Sequence, residues 1–248
     1  MNLKGKVIMI TGASGGIGKA LSNAFIHEES QLILIAKTEK DLQKFADKYG
    51  QNHKYYICDL SKKADVFKLI NSLKKDFDNI DLLINLAGIG IYKPIEKADQ
   101  NEWDISLALN VSTPFVLTKE LLSLLQKNSD SLVLNIGSGA GVIPMKNRSV
   151  YCATKFALRG LTLSLSEEFK GKSPSFCLIT LGSTLTSFGI GNILTLEEKI
   201  EQNKKGSAYF TPEWVANKLI EIIKDDNRKS EIVLYPSDYG FGTWKKSS

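Results

Sequence analysis

The stretch Val7-Ile8-Met9-Ile10-Thr11-Gly12-Ala13-Ser14-Gly15-Gly16-Ile17-Gly18 decides the fold. Its first five residues are apolar or β-branched without alternation, the pattern of a strand covered on both faces. A glycine-rich turn follows, and residues 16–28 read as an amphipathic helix. Gly12, Gly16 and Gly18 allow positive φ or close backbone approach. The helix start presents free N–H groups and the positive end of its dipole. Strand, tight turn and helix start together make a cradle for a pyrophosphate, with Ser14 and Ile17 in the same turn.

Outward from this unit the alternation repeats. Residues 32–36, 55–58, 81–86, 132–136, 175–180 and 231–234 read as further strands. Helical patterns cover 39–49, 62–77, 102–127, 150–170 and 212–224. Several strands are continuous apolar runs, so the expected architecture is α/β: a doubly wound parallel sheet of about seven strands with helices on both faces. No linker divides the chain, so residues 1–248 are expected to form one Rossmann-type domain. Within it, residues 182–211 read as a loop with only weak periodicity (Ile193, Leu194, Leu196, Ile200), the length of a substrate-side lid.

Composition narrows the function classes. There are 32 basic and 27 acidic residues, a net charge of +5, and the lysines are dispersed apart from pairs such as Lys204-Lys205 and Lys245-Lys246. No basic stripe interleaves with aromatics, so nucleic acid is not an expected partner. No apolar run approaches the roughly 18 residues of a membrane span. Residues 1–6 leave no room for a signal-peptide core, and a cytoplasmic location is expected. Cys58, Cys152 and Cys177 are scattered and read as reduced thiols. His27 and His53 have no partner pattern, so neither a metal site nor histidine-based chemistry is expected. Ser138 lies in Ile136-Gly137-Ser138-Gly139-Ala140, which is not a hydrolase nucleophile elbow.

The turn has the spacing T-G-x-x-x-G-x-G. With Asp59-Leu60, Asn85-Leu86-Ala87-Gly88, Asn110, Ser138, Tyr151-Cys152-Ala153-Thr154-Lys155 and Leu181-Gly182 with Thr186, it resembles the short-chain dehydrogenase/reductase family. The marks run in family order over essentially the whole chain. The resemblance implies a nicotinamide dinucleotide cofactor and a hydride moved to or from a carbonyl or alcohol carbon. It implies that Asp59 contacts adenine, and that Asn85, Ala87 and Gly88 stabilise the sheet and line the adenine-ribose side. It also implies that the segment holding Gly182, Thr184 and Thr186 grips the carboxamide. Leu181 and Thr184 depart from the family pattern there, and the lost proline costs rigidity.

The second strand ends Ile35-Ala36-Lys37-Thr38, where an NAD-preferring site usually carries an acidic residue. Lys37 attracts a 2′-phosphate, Ser14 can add a hydroxyl contact, and NADP(H) is therefore expected ahead of NAD(H). Glu39 weakens that field, and Thr38 with Asp41 also reads as a helix cap.

Tyr151 and Lys155 are i and i+4 and share a helix face. A free phenol near pKa about 10 is a poor proton shuttle at neutral pH. A neighbouring ammonium, with the cationic nicotinamide in the oxidised complex, is expected to lower it. Ser138 can hydrogen-bond the substrate oxygen and Tyr151 can protonate it. Asn110 precedes Pro114, which breaks the helix ladder, and the resemblance implies that Asn110 orients a water linked to Lys155. Residues 89–92 and 143–145, together with the 182–211 loop, are expected to line an apolar substrate pocket. Residues 239–244 are expected to close that pocket or a subunit contact. The helical regions 102–127 and 150–170 resemble the family's dimer interface, so a homodimer or homotetramer is expected.

Three other readings compete. An NAD(H)-dependent alcohol dehydrogenase of the same family shares every motif. An epimerase or dehydratase of the extended branch would carry a larger C-terminal domain and another glycine spacing. A non-catalytic dinucleotide-binding module would need the catalytic set to be broken, and Ser138, Tyr151 and Lys155 are intact.

Overall fold

The computed structural model describes residues 1–40, 43, 45, 47, 53–191 and 194–243. Seven parallel strands form one sheet: β1 (Val7–Thr11), β2 (Gln31–Ala36), β3 (Lys54–Ile57), β4 (Leu82–Asn85), β6 (Leu132–Ile136), β7 (Ser175–Leu181) and β9 (Glu231–Leu234). Their order is β3-β2-β1-β4-β6-β7-β9. The chain thus builds outward from β1 in one direction, then restarts at β4 and builds in the other. Two short strands, β5 (Ile91–Tyr92) and β8 (Ile190–Gly191), pair in parallel apart from the main sheet.

The unalternating apolar strands now have a physical reason. In β1, Ile8 and Ile10 enter the core on one face, while Val7 and Met9 enter the core on the other. In β2, Leu32 and Leu34 divide from Ile33 and Ile35 in the same way. On one face the cover is α1 (Gly16–His27) with α8 (Pro212–Lys224). On the other it is α2 (Lys63–Asp76), α4 (Thr113–Glu120) and α5 (Leu122–Leu125), with Leu165 and Phe169 from the end of the long helix α6 (Ser149–Glu168).

The helical region expected at 102–127 is not one helix. It begins at α3 (Gln100–Leu107), capped by Asp99 and Glu102 in a reciprocal capping box, and passes through a π-turn at Ala108–Ser112 before α4. Pro114 sits at the start of α4, where its missing N–H is tolerated. The 182–211 segment is more ordered than its composition indicates. It holds β8 and α7 (Leu196–Lys204), whose Thr195 and Glu198 form a second capping box. Of the helix expected at 39–49, Glu39, Lys40, Gln43, Phe45 and Asp47 are helical. Asp41, Ile193, Trp244 and Lys245-Lys246 lie outside the described residues. Tyr239 and Phe241 pack against Phe210 and Trp214, whose rings stack at 4.1 Å, so this part of the C-terminal aromatic stretch covers the α8 side of the core. All three cysteines are buried and free. Among the described residues no helix is long and apolar enough to cross a membrane.

One buried carboxylate ties the amino edge of the sheet. Asp81, 2% exposed, accepts hydrogen bonds from the Val7 amide at 2.8 Å, Lys6 Nζ at 3.0 Å, Asn79 Nδ2 at 3.0 Å and Asn128 Nδ2 at 2.6 Å. Removing it would orphan a buried amide and part of a charge network. Asp81→Ala is expected to lower the unfolding free energy by about 3 kcal/mol in urea denaturation. A loss below about 0.5 kcal/mol would show that the network is not structural.

Candidate functional site

The strand order reverses between β1 and β4, and a crevice opens at the carboxyl ends of the strands beside such a point. Here it is a cleft of about 1000 Å³. Three motif glycines shape its floor, each for a different reason. Gly12 has φ +70°, and a Cβ there would stand 2.9 Å from the Ala87 Cα. A Cβ on Gly18 would stand 2.3 Å from the Gly12 carbonyl oxygen, so helix and turn can meet only without one. A Cβ on Gly16 would stand 2.8 Å from Thr186 Cγ2, which brings the 182–186 segment down onto the turn. No side chain caps the start of α1, whose first-turn amides are those a pyrophosphate would take. Ser14, Ile17, Ala87, Gly88, Gly182, Thr184 and Thr186 also line the cleft. The residues present therefore fit an extended dinucleotide.

At the end beside β2, Lys37, Asp59 and Leu60 line the wall. Lys37 is not a free cation: its Nζ lies 3.0 Å from Asp59 Oδ2. Asp59 also accepts from the Ser61 hydroxyl at 2.6 Å and the Ser61 amide at 3.1 Å. The Ser61 hydroxyl first, then Lys37, holds the Asp59 carboxyl down at about 2. The Lys37 side chain is 72% exposed, so the pair contributes at most about 1 kcal/mol and yields to a stronger anion.

Two expected cofactor contacts fall elsewhere. Asn85 does not line the cleft: it is buried in β4 and donates to Asn135 Oδ1 at 2.7 Å, and Asn135 donates to Thr162 Oγ1 at 2.8 Å. It locks the sheet to α6, because a strand residue so deep faces neighbouring strands rather than the crevice. Thr38 is exposed beyond the strand end and is not on the wall.

At the opposite end, Ser138, Tyr151 and Lys155 converge. Ser138 follows β6, and its Oγ accepts from the Ala140 amide at 3.2 Å. Tyr151 and Lys155 lie in the first turns of α6, 5% and 6% exposed. Lys155 Nζ is 5.8 Å from the Tyr151 ring centre and donates to the Ile136 carbonyl at 2.8 Å. Burial pushes the Tyr151 phenol well above its ordinary value, and Ser138 works in the opposite direction. Burial likewise pushes the Lys155 amine down to about 8. The expected lowering belongs to the oxidised cofactor complex; within the protein alone, loss of water is the largest influence on the phenol and raises it.

Asn110 stands behind the wall rather than on it. It sits in the π-turn, accepts from the Ile89 amide at 2.8 Å, and donates to the Ile89 carbonyl at 2.8 Å and to Thr154 Oγ1 at 3.0 Å. A Cβ on Gly88 would meet Asn110 Oδ1 at 3.0 Å and Lys155 Nζ at 3.8 Å, so these three groups are close packed.

Of the residues expected around the substrate, Ile89, Tyr92, Ile143 and Met145 line the cleft, while Pro144 is exposed and off its wall. Phe188, Lys199 and Tyr209 line it from the 182–211 segment, as expected of that loop, whereas Arg148 and Tyr235, which also line it, lie outside the segments the sequence reading assigned to the pocket. For Arg148 there was a signal, its position three residues before Tyr151 at the start of the same helix.

A family model described as short chain dehydrogenase matches residues 6–191. An uncharacterized oxidoreductase of Thermotoga maritima is 32% identical over 172 residues, 68% of each chain. A 2-(S)-hydroxypropyl-CoM dehydrogenase of Xanthobacter autotrophicus is 29% identical over 233 residues, covering 90% of this chain and 91% of the relative. Among solved structures, an alcohol dehydrogenase from the archaeon Thermococcus sibiricus complexed with 5-hydroxy-NADP is 25% identical, with a TM-score of 0.81 over 94% of this chain and 97% of that one.

The glycine geometry yields a paired test. Gly18→Ala is expected to weaken dinucleotide binding at least about tenfold by displacing the turn. Gly15→Ala, whose Cβ would lie at an ordinary 3.4 Å from the Gly12 carbonyl, should change it little. Equal effects of the two in a fluorescence titration would refute the close-approach argument.

Proposed function

Because the chain belongs to the short-chain dehydrogenase family, we propose that it is an NADP(H)-dependent oxidoreductase acting on a carbonyl or alcohol carbon, with Tyr151 as general acid and base. The observation that carries this reading is the buried convergence of Ser138, Tyr151 and Lys155 at one end of a cleft whose floor is the glycine turn. The nicotinamide ring, when bound, supplies or accepts the hydride.

The turn glycines with Ser14 and Ile17 would hold the pyrophosphate, and Gly182, Thr184 and Thr186 the nicotinamide end. Ser138 orients the substrate oxygen, and Tyr151 gives its phenolic proton to that oxygen in reduction or receives it in oxidation. Lys155 supports the phenol and would hold the ribose hydroxyls. Asn110 spends both amide hydrogens on protein acceptors, so a water near Lys155 would be held by the backbone carbonyls that the π-turn loosens. Residues 1–248 act in this reading as one domain, with 182–211 as its substrate-side lid.

Lys37 supports NADP(H), since the residue after the second strand is basic and not acidic. NADP in the relative's complex is consistent with this. The NAD(H) alternative draws on Asp59, which already neutralises Lys37 in part.

Tyr151→Phe is expected to lower kcat about 10²- to 10⁴-fold, with the melting temperature little changed. Reduction needs the relay protonated, and the Lys155 amine sits at about 8. Reduction should therefore fall, and alcohol oxidation rise, as pH increases through about 8. An undiminished rate in the variant, or identical pH slopes in both directions, would overturn the role of Tyr151. Lys37→Asp is expected to shift the ratio of kcat/KM for NADPH over NADH towards NADH by at least about tenfold, and an unchanged ratio would remove Lys37 as its determinant.

A further inference from the structure

Besides Lys155, the substrate end of the cleft carries two cations and no described carboxylate. Arg148 and Lys199 are both half-buried and both line the wall, and neither forms an ion pair with a described residue. Among the described residues, the one acidic residue on the cleft wall is Asp59, at the far end and engaged with Lys37.

The two cations are also held in place. The Arg148 guanidinium lies 4.4 Å from the Tyr92 ring centre, and its NH1 group contacts Met145 Sδ at 3.4 Å. With one face on an aromatic ring, a guanidinium still offers N–H groups along its edge, the geometry that matches a carboxylate. Lys199 Nζ donates to the Thr186 carbonyl at 2.7 Å and to the Phe188 carbonyl at 3.4 Å, which leaves a third N–H available. The Arg148 charge reaches Tyr92, Tyr151, Lys199 and Tyr209, and it adds to burial in pushing the Lys199 amine down. Two like charges on one wall raise each other's energy, and a bound anion relieves both.

Position links this pair to the reacting carbon. Arg148 stands at the non-helical position just before α6, its guanidinium rests on Tyr92, and the Tyr92 ring centre is 5.4 Å from that of Tyr151. An anion on Arg148 is therefore separated from Tyr151 by about one aromatic ring.

We propose that Arg148, assisted by Lys199, binds the carboxylate of the substrate, so that the enzyme interconverts a short hydroxy acid and its oxo acid. The proposal rests on the oxidoreductase reading above and names its substrate class. In oxidation the carbinol C–H bond breaks and hydride leaves with its electron pair to oxidised nicotinamide. The hydroxyl O–H bond breaks and its proton passes to Tyr151 in its phenolate form, the C=O bond forms, and the carboxylate is unchanged. The expectation of an apolar substrate is narrowed accordingly: Tyr92, Phe188 and Tyr209 contact the hydrocarbon part, and the end group is charged.

The test is calorimetric titration of the NADP-saturated protein with short 2- and 3-hydroxy acids and with their methyl esters. It uses the wild type, Arg148→Gln, Arg148→Lys and Lys199→Met, with melting temperatures reporting that each is folded. At least one acid is expected to bind about tenfold or more tighter than its ester. That ratio should fall towards one in Arg148→Gln, be partly kept in Arg148→Lys, and shrink in Lys199→Met. Esters that bind as tightly as acids in the wild type, or an acid preference that survives Arg148→Gln, would overturn the proposal. Turnover of the same compounds separates the two readings. Acid-selective binding without hydride transfer removes the redox reading and leaves the anion site. Tyr151-dependent turnover of neutral alcohols with no acid preference does the reverse.

Discussion

One buried hydroxyl holds the molecule together where its two halves diverge. Thr11 Oγ1, at the end of β1, accepts from the Leu86 and Ala87 amides at 3.1 Å each and donates to the Ile84 carbonyl at 3.3 Å. Beyond Asn85 the chain has left the strand ladder; the Leu86 amide also reaches the Ile84 carbonyl at 3.1 Å, and Thr11 supplies the acceptor for the Ala87 amide. The Thr11 bonds also press Gly12 onto Ala87, at a distance no other residue could accept. The crevice exists because β1 and β4 cannot be joined by a covering loop at the reversal of strand order. Its width is set by this contact. Gly88 follows at once, and behind it Asn110 and Lys155. The position of Lys155, at the far end of the cleft, is thus coupled through packed groups to the first turn of the chain.

The parts of this arrangement that were legible in the sequence are those encoded by neighbours along the chain. The strands were readable because burial on both faces demands unbroken apolar runs. The glycine turn was readable because strand, turn and helix are contiguous. Tyr151 and Lys155 were readable because four residues make one helical turn. What failed depended on depth or on distant partners. Asn85 was assigned to the crevice, yet a position near a strand's end does not say whether the side chain faces a cavity or a neighbouring strand. Lys37 was read as a free cation, and its partner Asp59 arrives from the next strand. The capping box of α7, Thr195 with Glu198, was present in the sequence and overlooked amid polar residues. The pairing of β5 with β8 joins residues about a hundred positions apart through two residues each, and no local pattern announces it.

The electrostatics of the reacting end follow from its dryness. Both Tyr151 and Lys155 are almost wholly buried, and removal of water disfavours each charged form: the phenolate above, the ammonium below. Proximity alone does not settle which effect wins. Lys155 points its ammonium at the Ile136 carbonyl, a neutral acceptor that does not repay the lost hydration in full. The phenol has the Ser138 hydroxyl beside it, a weaker influence than a full counter-charge. The phenol is therefore biased towards its neutral, protonated form, which a proton donor to a developing alkoxide must hold before the reaction, while the Lys155 amine is brought to about 8, where it can take up and release a proton. Stabilising the opposite form requires positive charge brought close to the phenol, and Arg148, one turn away, already acts in that direction.

This division also explains why chemistry and specificity differ in legibility. The groups proposed to handle the proton sit on α6 and just after β6, elements fixed by the core, and their spacing is a local property. The groups around the substrate come from residues 143–148, from β5 and from the stretch between Thr186 and Tyr209, which meet only because β8 pairs with β5 and because Lys199 of α7 binds the Thr186 and Phe188 carbonyls. Lys199 therefore does two jobs with one ammonium. It fastens α7 over the cleft, and it leaves positive charge facing the substrate. A substitution that kept the helix but lost the charge would preserve the fastening only if another donor reached both carbonyls. The cation and the closure of the substrate wall are consequently constrained together, although nothing in the local sequence of either segment ties one to the other.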